Sequence, residues 1–143
     1  MATFLVKTEP DEYSFADLLR ETRCVWSGVK NPAALIALRS MRKGDRVLVY
    51  HTGGEKAIVG EAKVVSTGAY EDPGNPGVND RGEPKFAVVD LASVKAFPQP
   101  VSLAVIKTDP RFKSFALVKQ SRLSVMPVTV SEEAAIRELA IKA

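Results

Sequence analysis

The apolar positions fall in short runs set apart by proline, glycine and charged residues. Thr3 to Lys7 reads as a first strand, apolar and ended by Glu9-Pro10. Ser14 then fits a helix N-cap, with Asp17 as the capping-box partner and Tyr13 and Leu18 as the two ends of a hydrophobic staple. That pattern predicts a helix from about Phe15 to Arg20. Asn31 is a second candidate N-cap, followed by Pro32, whose missing N–H costs nothing at a first helical position. Leu35, Leu38 and Arg42 share a face of this helix. Arg42 and Lys43 suit the negative end of its dipole, and Gly44 ends it.

Strand patterns follow. Arg46 to Thr52 and Lys56 to Val65 are rich in β-branched residues and are joined through Gly53-Gly54, a hairpin signal. Gly60 inside the second run marks a bulge or a close backbone approach. Residues 71–84 hold three prolines and three glycines, which predicts a long loop. Phe86 to Phe97 returns to strand pattern. Ser102 to Lys107 and Phe112 to Lys119 read as short helical turns. Arg122 to Val130 is a last strand, confined to an edge or bulge by Pro127. Ser131 is the expected cap of a final helix. The order β-α-α-β-β-loop-β-α-β-α has no regular βαβ alternation and no repeat. It predicts a single α+β domain over residues 1–143. Its sheet is expected to be mostly antiparallel, curled into a small β-barrel with peripheral helices.

Composition narrows the chemistry. With one cysteine (Cys24) and one histidine (His51), neither an intramolecular disulfide nor a Cys/His zinc site is available. No metal, GxGxxG, GxxxxGK[ST] or other cofactor motif stands out, so no cofactor is expected. No apolar run approaches the roughly 18 residues of a membrane span. The first residues lack the pattern of a signal peptide, so a cytoplasmic protein with no membrane partner is expected. Charge is uneven: residues 22–63 carry eight bases and three acids, whereas residues 1–21 carry two bases and five acids. Such a local excess is either a solvated surface or a phosphate-contacting footprint. Lys30, Arg39, Arg42 and Lys43 are its candidate phosphate contacts.

Catalysis finds little support. A nucleophilic triad would need His51 as base, and no G-x-S-x-G elbow accompanies it. His51 follows the apolar parity of Val47 and Val49, which suits a hydrogen-bonded structural histidine or a ligand contact. Glu9, Asp11 and Glu12 cluster in a turn around Pro10, where solvated acids are the ordinary outcome. Glu9 alone is placed to accept a hydrogen bond from a base amino group. Trp26, the lone tryptophan, would by itself be assigned to the core. Its setting argues otherwise: Ser27-Gly28 opens the chain after it, and Lys30-Asn31 leads into a helix N-terminus that favours anions. Tyr50 and Tyr70 are further aromatic candidates, as ready to pack as to bind. Lys7, Thr8, Asn31 and His51 are the candidates for polar reading of a ligand.

These residues resemble the EVE domain family, a branch of the PUA-like fold. Phe-Leu-Val-Lys-Thr-Glu-Pro-Asp-Glu-Tyr from Phe4 to Tyr13 is similar to its opening signature, and Trp26 to Asn31 (Trp-Ser-Gly-Val-Lys-Asn) to its Trp-x-Gly-Val-Arg/Lys-Asn motif. Met41, Gly44-Asp45 and Tyr50-His51-Thr52 are similar to further segments, as are Gly60-Glu61-Ala62 and the closing Arg122 to Val128. Phe4 departs from the tryptophan common at that position, and Asn31 to Leu35 lacks the Ala-Arg-Asn run. The resemblance implies a PUA-like domain related to the YTH readers of methylated adenosine, with Trp26 as a pocket wall. It implies a non-catalytic binder of DNA or RNA carrying a modified base, methylated or hydroxymethylated, flipped or single-stranded. A small-ligand or protein-interaction module, and an enzyme acting on a nucleotide-like substrate, are the alternatives.

Overall fold

The computed structural model describes residues 1–141. Seven strands form a mixed sheet: β1 (Thr3–Thr8), β2 (Arg23–Trp26), β3 (Arg46–His51), β4 (Ala57–Val64), β5 (Tyr70–Glu71), β6 (Ala87–Ser102) and β7 (Val125–Val128). The helices are α1 (Phe15–Glu21), α2 (Pro32–Arg39), α3 (Leu103–Thr108), α4 (Ala116–Lys119) and α5 (Val130–Ile141), with a 3-10 turn at Pro110–Phe112. The sheet runs β2-β6-β4-β3-β1-β7, with β5 added to β6. All pairings are antiparallel except β1 with β3, whose connection passes through α1, β2 and α2.

The expected barrel is not closed. β2 and β7 are the two ends of the strand path and do not pair. Helix α2 instead packs against both β6 and β7 and covers the space between the two arms of the sheet. Its buried face supplies Ala34, Leu35, Ala37 and Leu38 to the core. β7 is a fitting last strand, because Pro127 has no N–H for a ladder.

Local chemistry explains most boundaries. The capping box of α1 forms as expected: Asp17 N–H donates to Ser14 Oγ (3.1 Å) and Ser14 N–H to Asp17 Oδ2 (2.8 Å). Asn31 Oδ1 accepts from Ala33 and Ala34 N–H (2.9 and 3.1 Å), starting α2 at Pro32. This helix stops at Arg39, short of Gly44. Ser40 turns back on Ala37 through both its N–H (3.1 Å) and its hydroxyl (2.6 Å), and the Asp45 carboxylate takes the Arg42 N–H (2.9 Å). Arg42 and Lys43 therefore sit in a turn and not on the helix. The final helix is capped by Thr129, not Ser131: Thr129 Oγ1 accepts from Glu132 N–H (3.1 Å) while Glu132 accepts from Thr129 N–H (3.0 Å).

Two features position the β1 end of the molecule. Gly60 lies between register shifts on both of its neighbours, and a Cβ there would stand 2.4 Å from the Phe15 ring. Phe15 thus packs on bare backbone and holds α1 against β4. Strand β2, absent from the sequence reading, is only four residues long, yet it alternates exposed Arg23, half-buried Cys24, exposed Val25 and buried Trp26. Among the described residues, no helix is long and apolar enough to cross a membrane.

Candidate nucleic-acid interface

Trp26 ends β2 opposite Val89, and the residue is 8% exposed. Tyr13 meets it edge-on, centroids 6.2 Å apart and planes at 80°. The two rings, with Cys24, Val25 and Ser27, wall a cleft of about 240 Å³. Among the described residues the indole N–H has no hydrogen-bond partner and no buried side-chain polar atom lacks one, so this donor is open to solvent. Tyr13 Oη donates to Glu21 Oε1 at 2.7 Å; burial and this bond hold the phenol well above its ordinary range. Burial likewise pushes the Cys24 thiol up. Gly28, at φ +82°, turns the chain after Ser27, so Val29 reaches the core while Ser27 stays at the cleft.

Thr8 and Glu9 secure this end rather than opening into it. Thr8 Oγ1 donates to the Tyr13 carbonyl at 2.7 Å. The Thr8 carbonyl accepts from Thr52 N–H at 2.9 Å, and Glu9 Oε2 accepts the Thr52 hydroxyl at 3.0 Å. His51 is equally committed. Its Nε2 accepts the Phe15 N–H at 3.0 Å, which leaves the proton on Nδ1 to donate to Glu55 Oε1 at 2.7 Å.

A second cleft, about 300 Å³, lies between the β1–β3 end and the segment carrying α3 and α4. Lys7 Nζ donates to the Ser121 carbonyl (2.8 Å) and sits 5.8 Å from the centre of the Tyr50 ring. Burial lowers the Lys7 pKa and raises that of Tyr50. Lys56 and Lys107 line the same cleft, with Leu103 and Leu117 as its apolar wall. Ser121 is shared with a third cleft that holds Asn31, Lys119 and Arg122. Asn31 spends its side-chain oxygen on the α2 cap, leaving its amide N–H groups outward.

Tyr70 is elsewhere. Its hydroxyl donates to Asp90 Oδ1 at 2.5 Å, and Arg23 holds the other Asp90 oxygen at 2.8 Å, beside a separate cleft. The Asp90 bond, above all, pushes the Tyr70 phenol up to about 12; Tyr70 and Arg23 hold the Asp90 carboxyl below its ordinary range. The four expected phosphate contacts are spread along α2 and its two flanks. Lys30 precedes α2, while Arg42 and Lys43 lie past its far end, about 12 Å along the axis. Arg39 Nε donates to the Pro84 carbonyl at 2.9 Å, tying down the 71–84 loop.

Tyr13, Ser27, Lys56, Lys107, Ser121, Lys119 and Arg122 were not singled out from sequence. Ser27 follows Trp26 and Tyr13 closes the Phe4 to Tyr13 signature, so their place in those motifs was the available signal. The remaining five arrive from the hairpin turn or from residues 103–122 through tertiary packing, with no local pattern to mark them.

A profile of the EVE domain matches residues 2–139. Human thymocyte nuclear protein 1 is 30% identical over 158 aligned positions, covering 90% of this chain and 69% of that protein. The crystal structure of the human THYN1 protein in complex with 5-methylcytosine-containing DNA superimposes with TM-score 0.87 at 27% identity, covering 100% of this chain and 99% of that one. A crystal structure of a Pseudomonas syringae protein gives TM-score 0.87 at 36% identity, covering 98% and 100%. With its fold, its opening signature and its Trp26 segment all in agreement, the chain belongs to the EVE domain family.

Proposed function

We propose that the protein is a non-catalytic reader of a modified base, 5-methylcytosine in DNA first among candidates, held at the Trp26–Tyr13 cleft. The observation that carries this is the end-to-end match to a human relative crystallised with 5-methylcytosine-containing DNA. The unpaired Trp26 N–H beside an aromatic neighbour and the Ser27 hydroxyl supports it, since a flat polar ligand needs both a π surface and a few donors. The commitment of both His51 nitrogens to the protein's own framework supports the non-catalytic part.

Magnitudes restrict what the cleft has to do. Extruding a base from a duplex costs a few kcal/mol, least from a mismatch or a single strand. Aromatic contact returns about 1–3 kcal/mol per base. A methyl group adds roughly 0.8 kcal/mol, about fourfold in affinity. Preference beyond that requires a polar group that the wrong base leaves unpaired, at about 1–3 kcal/mol.

The test is fluorescence of the single tryptophan together with anisotropy of labelled oligonucleotides carrying cytosine, 5-methylcytosine or 5-hydroxymethylcytosine, in DNA and RNA. The expected result is Trp26 quenching and at least fourfold tighter binding of one modified strand. The Trp26→Phe variant, which keeps a ring in the core, is expected to lose the preference. An absence of binding to every strand would remove the reading.

A further inference from the structure

The sequence concentrates positive charge in residues 22–63, and the fold joins one of those bases, Lys56, to cations from outside that segment. Lys7, Lys56 and Lys107 line one cleft, and the carboxylate beside its wall, Glu9, is held by the Thr52 hydroxyl at 3.0 Å. Lys119 and Arg122 continue the same side of the molecule past the shared Ser121. Lys56, Lys107, Lys119 and Arg122 form no ion pair among the described residues, as is also true of Lys30, Arg39, Arg42 and Lys43. None of Lys30, Arg39, Arg42 and Lys43 lines either of these two clefts.

Lys56 supplies a second, independent observation. Among the described residues it is one of two non-glycine residues with positive φ, at +48°, and it follows Gly53-Gly54-Glu55 at the end of the β3–β4 turn. Its carbonyl accepts the Leu103 N–H at 2.8 Å, so the strained residue is fixed against the start of α3. The lysine thus holds a left-handed turn conformation more usual for glycine or asparagine and lines the cleft from there. Lys7 adds an ammonium with one acceptor, the Ser121 carbonyl, out of three donors. A phosphodiester oxygen would take one of its two remaining donors, and successive phosphates of a strand would neutralise Lys56 and Lys107 in turn.

The geometry points to the cleft of Lys7, Lys56 and Lys107 as the seat of a nucleic-acid strand's phosphodiester backbone, with the strand continuing past Ser121 toward Lys119 and Arg122. The helical segment 103–122 is thus one wall of the strand's path, facing Lys7 and Tyr50 at the ends of β1 and β3. This assignment rests on the nucleic-acid-binding reading but not on the choice of base. Its contacts are sequence-independent, and they set affinity and salt dependence.

The experiment measures anisotropy against salt for two labelled single strands, one carrying 5-methylcytosine and one fully abasic. Three proteins are compared: wild type, Lys56→Ala/Lys107→Ala, and Lys63→Ala/Lys95→Ala, which removes equal charge elsewhere on the sheet. All four lysines are exposed, and thermal melts confirm folding; Lys56→Gln/Lys107→Gln serves as the alternative pair. The cleft variant is expected to bind both strands roughly tenfold more weakly, with a log–log salt slope shallower by about 1.4 for two lost contacts. Its preference for the 5-methylcytosine strand over the abasic strand should be unchanged. Equal weakening by the two double variants, or none by the cleft variant, overturns the assignment. Cleft-dependent binding of the abasic strand without any base preference upholds it and removes the base-reading function. Failure of wild type to bind either strand removes both.

Discussion

Trp26 is nearly enclosed, and truncating it to alanine would open a hole in the core at a cost of about 3–5 kcal/mol. A loss of ligand binding in that variant would then report unfolding as readily as a lost wall, which is why Trp26→Phe is the informative change. Backbone strain separates structure from function in the opposite way. Thr22 caps α1 at φ +64°, a left-handed position that a β-branched residue rarely takes. Thr22→Gly is expected to raise stability by about 1 kcal/mol in urea unfolding. Lys56→Gly should change stability by under about 1 kcal/mol, because the strain relieved and the added unfolded-state freedom nearly cancel. His51 illustrates where residue-level reading stops. Its parity placed it on an apolar face, and both a structural and a ligand role fitted. Only the arrival of the Phe15 N–H, 36 residues distant in sequence, shows that its second nitrogen is occupied.

The elements with chemical punctuation were legible: the Ser14–Asp17 box, the Asn31-Pro32 start and the Pro127 edge each follow from local donors and acceptors. Elements set by long-range partners were not. β2 is too short for a periodic signal and exists because β6 offers it an edge. The end of α2 was misplaced because Ser40 and Asp45, both ordinary residues, compete successfully for the backbone groups that a longer helix would use. Gly60 belongs at this scale too. Any side chain there collides with Phe15, which is 3% exposed and has nowhere to go. Gly60→Ala is expected to cost about 1–3 kcal/mol and to loosen α1 from β4. Because Tyr13 immediately precedes that helix, amide exchange at residues 13–21 should accelerate in the variant. Unchanged exchange there would mean that the ring accommodates the methyl elsewhere.

For the whole molecule, a buried charge network fastens α5 across the sheet. Glu133 accepts the Thr3 hydroxyl at 2.7 Å and pairs with Arg46 (3.0 Å) and Arg137 (2.8 Å), while Arg137 also holds Glu61 at 2.7 Å. Burial pushes the Glu133 carboxyl up, but the Thr3, Arg137 and Arg46 contacts outweigh it and hold the group below its ordinary 4.5. The folded protein therefore binds this proton less readily than the unfolded chain does. The stability it contributes is present in full above about pH 4.5 and is lost as pH falls through the lower folded value. Glu133→Gln is expected to cost about 2–4 kcal/mol at neutral pH and to flatten the decline of stability below pH 4.5 in urea melts. An equally steep decline in the variant would assign the acid sensitivity to other carboxyls. The same docking of the chain's late part on its early part has a consequence in time. β1 is flanked by β3 on one side and by β7 on the other, with Thr3 opposite Val128. At a synthesis rate of about 5–20 residues per second, Phe4, Leu5 and Val6 wait roughly 6–25 s for residues 125–128 to be made. Throughout that interval one edge of a β-rich apolar strand stays open, so the nascent chain, rather than the finished protein, is the form most exposed to aggregation.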